Sequence, residues 1–128
     1  MSDPSLVLIL EDEALIAMTL EDELDDAGYA VAGSFATCDS ALRWLDDATP
    51  DFAILDTTLR DGTCAKVAAE LNRRGIPFIV HSGSRESQNE ITELAGAIWV
   101  EKPSSARAIA AALHALHSVS GSSALTPV

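Results

Sequence analysis

The run Leu6-Val7-Leu8-Ile9-Leu10 is aliphatic without a break, the pattern of a β-strand covered on both faces. A strand with one wet face would alternate apolar and polar residues, and this one does not. Three more short apolar runs follow: Phe52-Ala53-Ile54-Leu55, Phe78 to His81, and Ala97 to Val100. Segments of helical spacing separate them. Buried strands alternating with helices imply right-handed crossovers and a doubly wound parallel sheet. In such open α/β sheets, ligands bind at the carboxyl ends of the strands. All four runs lead into polar chemistry there: Glu11-Asp12, Asp56, Ser82 and Glu101-Lys102.

The elements, numbered β1 to β5 and α1 to α5, can be placed from this pattern. After β1 (Leu6 to Leu10), Asp12 can cap a helix α1 with Ile16, Leu20, Leu24 and Ala27 at helical spacing, stopped by Gly28. Tyr29 to Val31, extended as far as Ala32, reads as β2. The helix α2 is expected over Thr37 to Asp47, burying Leu42 and Leu45, and β3 follows Pro50 and leads to Asp56. Cys64, Val67, Ala68 and Leu71 fall at i, i+3, i+4 and i+7 and mark α3, which ends before Gly75. Pro77 opens β4. The polar stretch Ser84 to Leu94 is read as α4, Ala97 to Val100 as β5, and Ile109, Ala112, Leu113 and Leu116 define α5. Residues 1–117 thus form one domain, and residues 118–128 are expected to be a disordered tail.

Composition narrows the function. With 128 residues and 48% hydrophobic content, the chain can bury a proper core. A net charge of −12 argues against nucleic acid or anionic membrane as partner and suits a protein or a cation. No apolar stretch approaches a membrane span, and no basic region precedes Leu6 as a secretory signal would require. Cys38 and Cys64 match no metal-ligand spacing and read as small core residues of a cytoplasmic protein. His81, His114 and His117 read as structural.

The acidic Leu10-Glu11-Asp12-Glu13, the acceptor motif Ile54-Leu55-Asp56, Ser82-Gly83 after β4 and Lys102-Pro103 after β5 stand in order along the chain. Together they resemble the receiver domain of two-component response regulators, over roughly residues 5–116. The resemblance implies a flavodoxin-like (βα)5 fold with strand order 2-1-3-4-5. It implies that Asp56 takes a phosphoryl group from a phosphohistidine on a sensor histidine kinase or a histidine phosphotransfer protein. Asp12 and Asp56 would be direct ligands of Mg²⁺, or of Mn²⁺ in its place, Glu11 would act through water, and the Thr58 backbone carbonyl would complete the set. Ser82 and Lys102 would contact the phosphoryl group, and the Lys102–Pro103 bond would be cis. Ser82 and Trp99 would form the switch, signalling through the α4-β5-α5 face to a downstream protein. Such a chain is a phosphoacceptor regulator and not an enzyme, here of the stand-alone kind.

Each residue also has a plainer reading. Asp12 alone is a helix cap, Glu11 and Glu13 a solvated first turn, Ser82 a turn hydroxyl, Lys102 a surface lysine and Trp99 a strand aromatic. Asp56 has the weakest such alternative, because an ionised carboxylate straight after a buried run needs partners.

The loop after Asp56 departs from the family, with Leu59-Arg60 where Met-Pro is frequent and a quick passage through Asp61-Gly62. Asp56-Thr57-Thr58-Leu59-Arg60-Asp61-Gly62 also resembles a signature of metal-dependent acyl-CoA-condensing enzymes. Those are TIM barrels of about 250 residues, which this chain cannot build. A degenerate receiver acting as a binding module, or a small Asp-nucleophile phosphatase, are the competing functions. The phosphatase type wants a second Asp where Thr58 stands.

Overall fold

The computed structural model describes residues 4–83, 91–102 and 108–116. Its main sheet has five parallel strands: β1 Leu6–Leu10, β2 Ala30–Phe35, β3 Phe52–Leu55, β4 Phe78–Ser82 and β5 Ile98–Glu101. Their spatial order is β2-β1-β3-β4-β5, as expected. The helices are α1 Ala14–Asp26, α2 Cys38–Asp47, α3 Ala65–Arg74 and a last helix over residues 108–116, the expected α5.

Successive side chains of a strand project to opposite faces, so an unbroken aliphatic strand must feed two cores. It does so here. Val7, Ile9, Phe52, Ile54 and Ile79 pack with Leu20 and Leu24 of α1 and with Ile109 and Leu113. Leu8, Leu10, Ala53, Leu55 and Val80 pack on the other side with Leu45 of α2 and Val67 and Leu71 of α3. Burying a Leu or Ile fully is worth about 1.5–3 kcal/mol, and both faces of the central strands collect it.

The structure corrects several boundaries. The N-cap of α1 is Glu13, without a side-chain cap bond, so Asp12 is not the cap it was expected to be. Asp12 is left facing the strand-end pocket described below. Ala27 of the expected apolar stripe is exposed, and Ala17 is buried instead. The strand β2 continues to Phe35, past the Ala32 limit. Val7 and Leu8 face Val31 and Gly33, so Ala32 is the extra residue of a bulge. Gly33 there has φ +151°, and an added Cβ would meet the Phe35 ring at 3.4 Å. The bulge and the glycine together cut short the strand that the sequence pattern shows. In β5 the boundary moves one residue, to Ile98–Glu101.

Two helix ends follow their sequence signals. Thr37 caps α2, its side chain accepting from the Ser40 N–H at 3.1 Å. Gly75, at φ +71°, closes α3 in the left-handed conformation that only glycine takes without strain. Of the expected α4, Thr92–Leu94 form a 3₁₀ turn that buries Leu94, and the remainder falls mostly on residues 84–90, outside the described residues. The Lys102–Pro103 bond, His117 and residues 118–128 also lie outside them.

An element with no counterpart in the sequence reading follows Asp56. Thr58–Leu59 and Gly62–Thr63 pair as a two-residue antiparallel hairpin, with Leu59 buried.

Candidate functional site

Glu11, Asp56, Ser82 and Lys102 come from four different strand ends, and the sheet aligns them. Leu10 pairs with Leu55, Leu55 with Val80, and Ser82 with Glu101, so the residues at or just after these positions share one edge. The Asp56 N–H donates to the Leu10 carbonyl at 3.0 Å, and the Lys102 N–H to the Ser82 carbonyl at 2.9 Å. Backbone pairing thus runs right up to the functional side chains and fixes their starting points.

The charged groups converge on the lysine. Lys102 Nζ lies 2.7 Å from Glu11 Oε1 and donates to Asp56 Oδ2 at 2.9 Å. Glu11 is buried, its side chain only 1% exposed, and its other oxygen accepts from the Glu13 N–H at 3.1 Å. Asp12 completes the cluster: Glu11, Asp12 and Asp56 each offer a carboxylate oxygen within 4.8 Å of the others. Three hard oxygen donors that close can hold a divalent cation of the Mg²⁺ or Ca²⁺ type. The residues therefore fit a metal.

Burial raises the Glu11 pKa above the usual carboxylate range, with hydrogen bonds and charge from Lys102 pulling the other way. Burial also pushes down on the Lys102 ammonium. Hydrogen bonds to Glu11 and Asp56 outweigh it together, leaving the lysine above its ordinary value and charged. A single ammonium thus serves two carboxylates, a −2/+1 arrangement that a bound cation would complement.

Beside this charged group is a neutral one. Thr57 and Ser82 are each 3% exposed, and their hydroxyls share a 2.9 Å hydrogen bond. His81, equally buried, has its pKa pushed down to about 4 by burial and by the Lys102 charge, and is neutral at pH 7. Trp99 lies opposite Val80 in β5, half-buried against the α2/α3 core. Its Nε1 is buried without a hydrogen-bond partner among the described residues.

The hairpin after Asp56 ties the site to α2. Both oxygens of Asp61 accept from the start of that helix, from the Cys38 N–H at 2.8 Å and the Asp39 N–H at 3.1 Å. The same two bonds, Cys38 first, hold the Asp61 pKa below its usual range. The Cys38 thiol donates to the Thr63 carbonyl at 3.0 Å, and Arg60 N–H to the Ala36 carbonyl at 3.1 Å. Thr58 is exposed, with its N–H 3.4 Å from Asp56 Oδ1, and Arg60 is exposed too. Sequence reasoning missed the Asp61 cap and the Thr57–Ser82 bond. Asp followed by Gly signalled only a turn, and no periodic signal pairs residues 23 or 25 positions apart.

The strand order, with an acidic pocket where β1 and β3 part toward opposite sides, defines a flavodoxin-like α/β protein. Residues 7–114 match the model of the response regulator receiver domain, and the chain belongs to that family. It is similar to SdrG from Sphingomonas melonis Fr1, at 37% identity and TM-score 0.77, covering 91% of this chain and 98% of that one. A receiver domain of a modulated diguanylate cyclase from Desulfovibrio desulfuricans G20 is 29% identical, with TM-score 0.78 over 88% of this chain and 92% of that one. The transcriptional regulatory protein PdtaR of Mycobacterium tuberculosis H37Rv is 36% identical over 95 residues, 72% of this chain and 44% of the relative. The chain therefore spans less than half the length of that curated relative. Among the described residues, no helix is long and apolar enough to cross a membrane.

Proposed function

We propose that this receiver domain is a phosphoacceptor with Asp56 as its covalent site, charged by a sensor histidine kinase or a histidine phosphotransfer protein in the cytoplasm. An Asp56 carboxylate oxygen attacks phosphorus, and the N–P bond of the donor phosphohistidine breaks. Its electron pair returns to the imidazole, which takes up a proton. The observation that carries this reading is Lys102 Nζ in contact with Glu11 and Asp56 while Asp12 stands within the same 4.8 Å group. Such a transfer asks for positioning and charge neutralisation more than for acid-base catalysis.

The carboxylates of Asp12 and Asp56, with Glu11 through water and the Thr58 carbonyl, would hold Mg²⁺ or Mn²⁺. When bound, the cation supplies the positive charge that lets an anionic donor approach a carboxylate. Lys102 pairs with the phosphoryl oxygens, and Ser82 donates a hydrogen bond to one of them. Trp99 follows Ser82, and the α4-β5-α5 face carries the change to a downstream protein, as a shift of population between two conformations. The domain is regulatory and turns over only its own aspartyl phosphate.

Incubation with acetyl phosphate and Mg²⁺, read by intact mass, tests this reading. One phosphoryl group should add to the wild type and none to Asp56→Asn. Sustained release of phosphate would point to an enzyme, and no addition at all to a degenerate binding module.

A further inference from the structure

We propose that Arg60 is a specificity-determining residue of the phosphorylation, a guanidinium that draws anionic phosphoryl donors into the groove leading to the carboxylate group. This rests on the function proposed above. The groove lies between α1, the end of β2 and the hairpin, and Glu11, Asp12, Met18, Glu21, Ser34 and Arg60 are among the residues that line it. Two carboxylates of the metal-fitting group therefore border the same space as the arginine. Its volume is about 250 Å³, several times the share of about 30 Å³ that a water takes in the liquid, so a hydrated phosphoryl group fits.

The hairpin delivers this side chain. The Arg60 N–H donates to the Ala36 carbonyl at 3.1 Å, and the neighbouring Asp61 carboxylate accepts from the Cys38 and Asp39 N–H groups. The backbone is thus pinned beside the start of α2, while the Arg60 side chain stays exposed. Among the described residues it is the one basic residue lining the groove, and its guanidinium forms no ion pair with any of them. Two nearby carboxylates are engaged elsewhere: Glu11 with Lys102 and the Glu13 N–H, Glu21 with the Ser34 hydroxyl at 3.1 Å. The arginine therefore keeps its donors for an anion that arrives from solution.

Charge decides what it does there. With a divalent cation bound, the cation and Lys102 match Glu11, Asp12 and Asp56. Glu21 leaves one negative charge on the groove, and Arg60 cancels it. Without the guanidinium, a dianionic donor meets a negative groove on a chain whose net charge is already −12. Such fields act on the encounter and hardly on the chemical step.

The test follows phosphorylation by acetyl phosphate with saturating Mg²⁺, read by intact mass against time, at limiting and at saturating donor. At low ionic strength and limiting donor, Arg60→Ala should be about 3- to 5-fold slower than wild type. Arg60→Glu reverses the charge and should be about 10- to 25-fold slower, while Arg60→Lys should stay close to wild type. The differences should disappear at saturating donor, and also in about 1 M salt, where the screening length is about 3 Å. Glu21→Gln, which removes the opposing charge, should restore most of the rate lost in Arg60→Ala. Wild-type rates in Arg60→Ala and Arg60→Glu, or a loss that persists at high salt and saturating donor, overturn the inference. A wild type that takes up no phosphoryl group would instead remove the proposed function, and the inference with it.

Discussion

Two polar groups share the carboxyl edge of the sheet, and they are held in opposite ways. Glu11, Asp12, Asp56 and Lys102 form a charged group in which one ammonium spans two strand ends. Thr57, Ser82 and His81 form a neutral group beside it, in which the Thr57 and Ser82 hydroxyls share a hydrogen bond. Charges with short bonds resist displacement, because separating a desolvated pair strands each member. A single hydroxyl–hydroxyl bond is worth about 1 kcal/mol and can be exchanged. The lesson is a division of labour. On the proposed function, the charged group would fix where chemistry happens, and the neutral group is where a response would begin.

Acid should break this comparison most severely. The His81 pKa falls from 6.5 to about 4 on folding, so the unfolded chain binds more protons between those values. Its contribution to stability is full above pH 6.5 and lost as pH falls toward 4, by at most about 3 kcal/mol. Protonation would also set a charge beside Lys102. Urea unfolding across this window should show a loss that His81→Gln lacks, and parallel curves would refute it.

Lys102→Ala attacks the charged group directly. Without metal it should cost about 2 kcal/mol in urea unfolding, below the usual penalty for a stranded buried charge because Glu11 can take up a proton. Mg²⁺ should recover part of the loss. Stability indifferent to the substitution would mean the ammonium does not bind the cluster together. Asp12→Asn should weaken Mg²⁺ binding about tenfold, roughly 1.4 kcal/mol, in a direct titration. Unchanged affinity would remove Asp12 from the ligand set. The smallest effect is expected at Asp61, a carboxylate at the same edge that serves α2 instead of the pocket. Asp61→Ala should lower the thermal midpoint slightly and leave Mg²⁺ affinity nearly as it was.

The same contrast explains what could be read in advance. The strands β1 and β3, and the ends of α2 and α3, were legible because burial on two faces and helical spacing leave a signal in adjacent residues. The charged group was legible because each member follows one of those runs. The strand β2 was cut short because its bulge at Ala32 breaks the period, and the hairpin after Asp56 is too brief to have one. Asp12 was misread as a cap because Asx before a helix means a cap more often than a pocket. The Thr57–Ser82 bond was invisible because only the folded sheet brings β3 and β4 side by side. Trp99 was legible as a strand aromatic because it lies in the last apolar run, and it packs against the α2/α3 core.

The two cysteines turn the hairpin into something that can be timed. Burial raises Cys38 to about 11, aided by the Asp61 charge, and Cys64 to about 12. At pH 7 neither offers a thiolate while the chain is closed, so an alkylating reagent must wait for an opening. The Cys38 thiol donates a hydrogen bond to the Thr63 carbonyl of the hairpin, and Cys64, next in the chain, is buried in the core beneath, so alkylation of either reports an opening of this region. Alkylation rates would therefore count those openings directly, a clock placed a few residues from Asp56 by the native sequence itself.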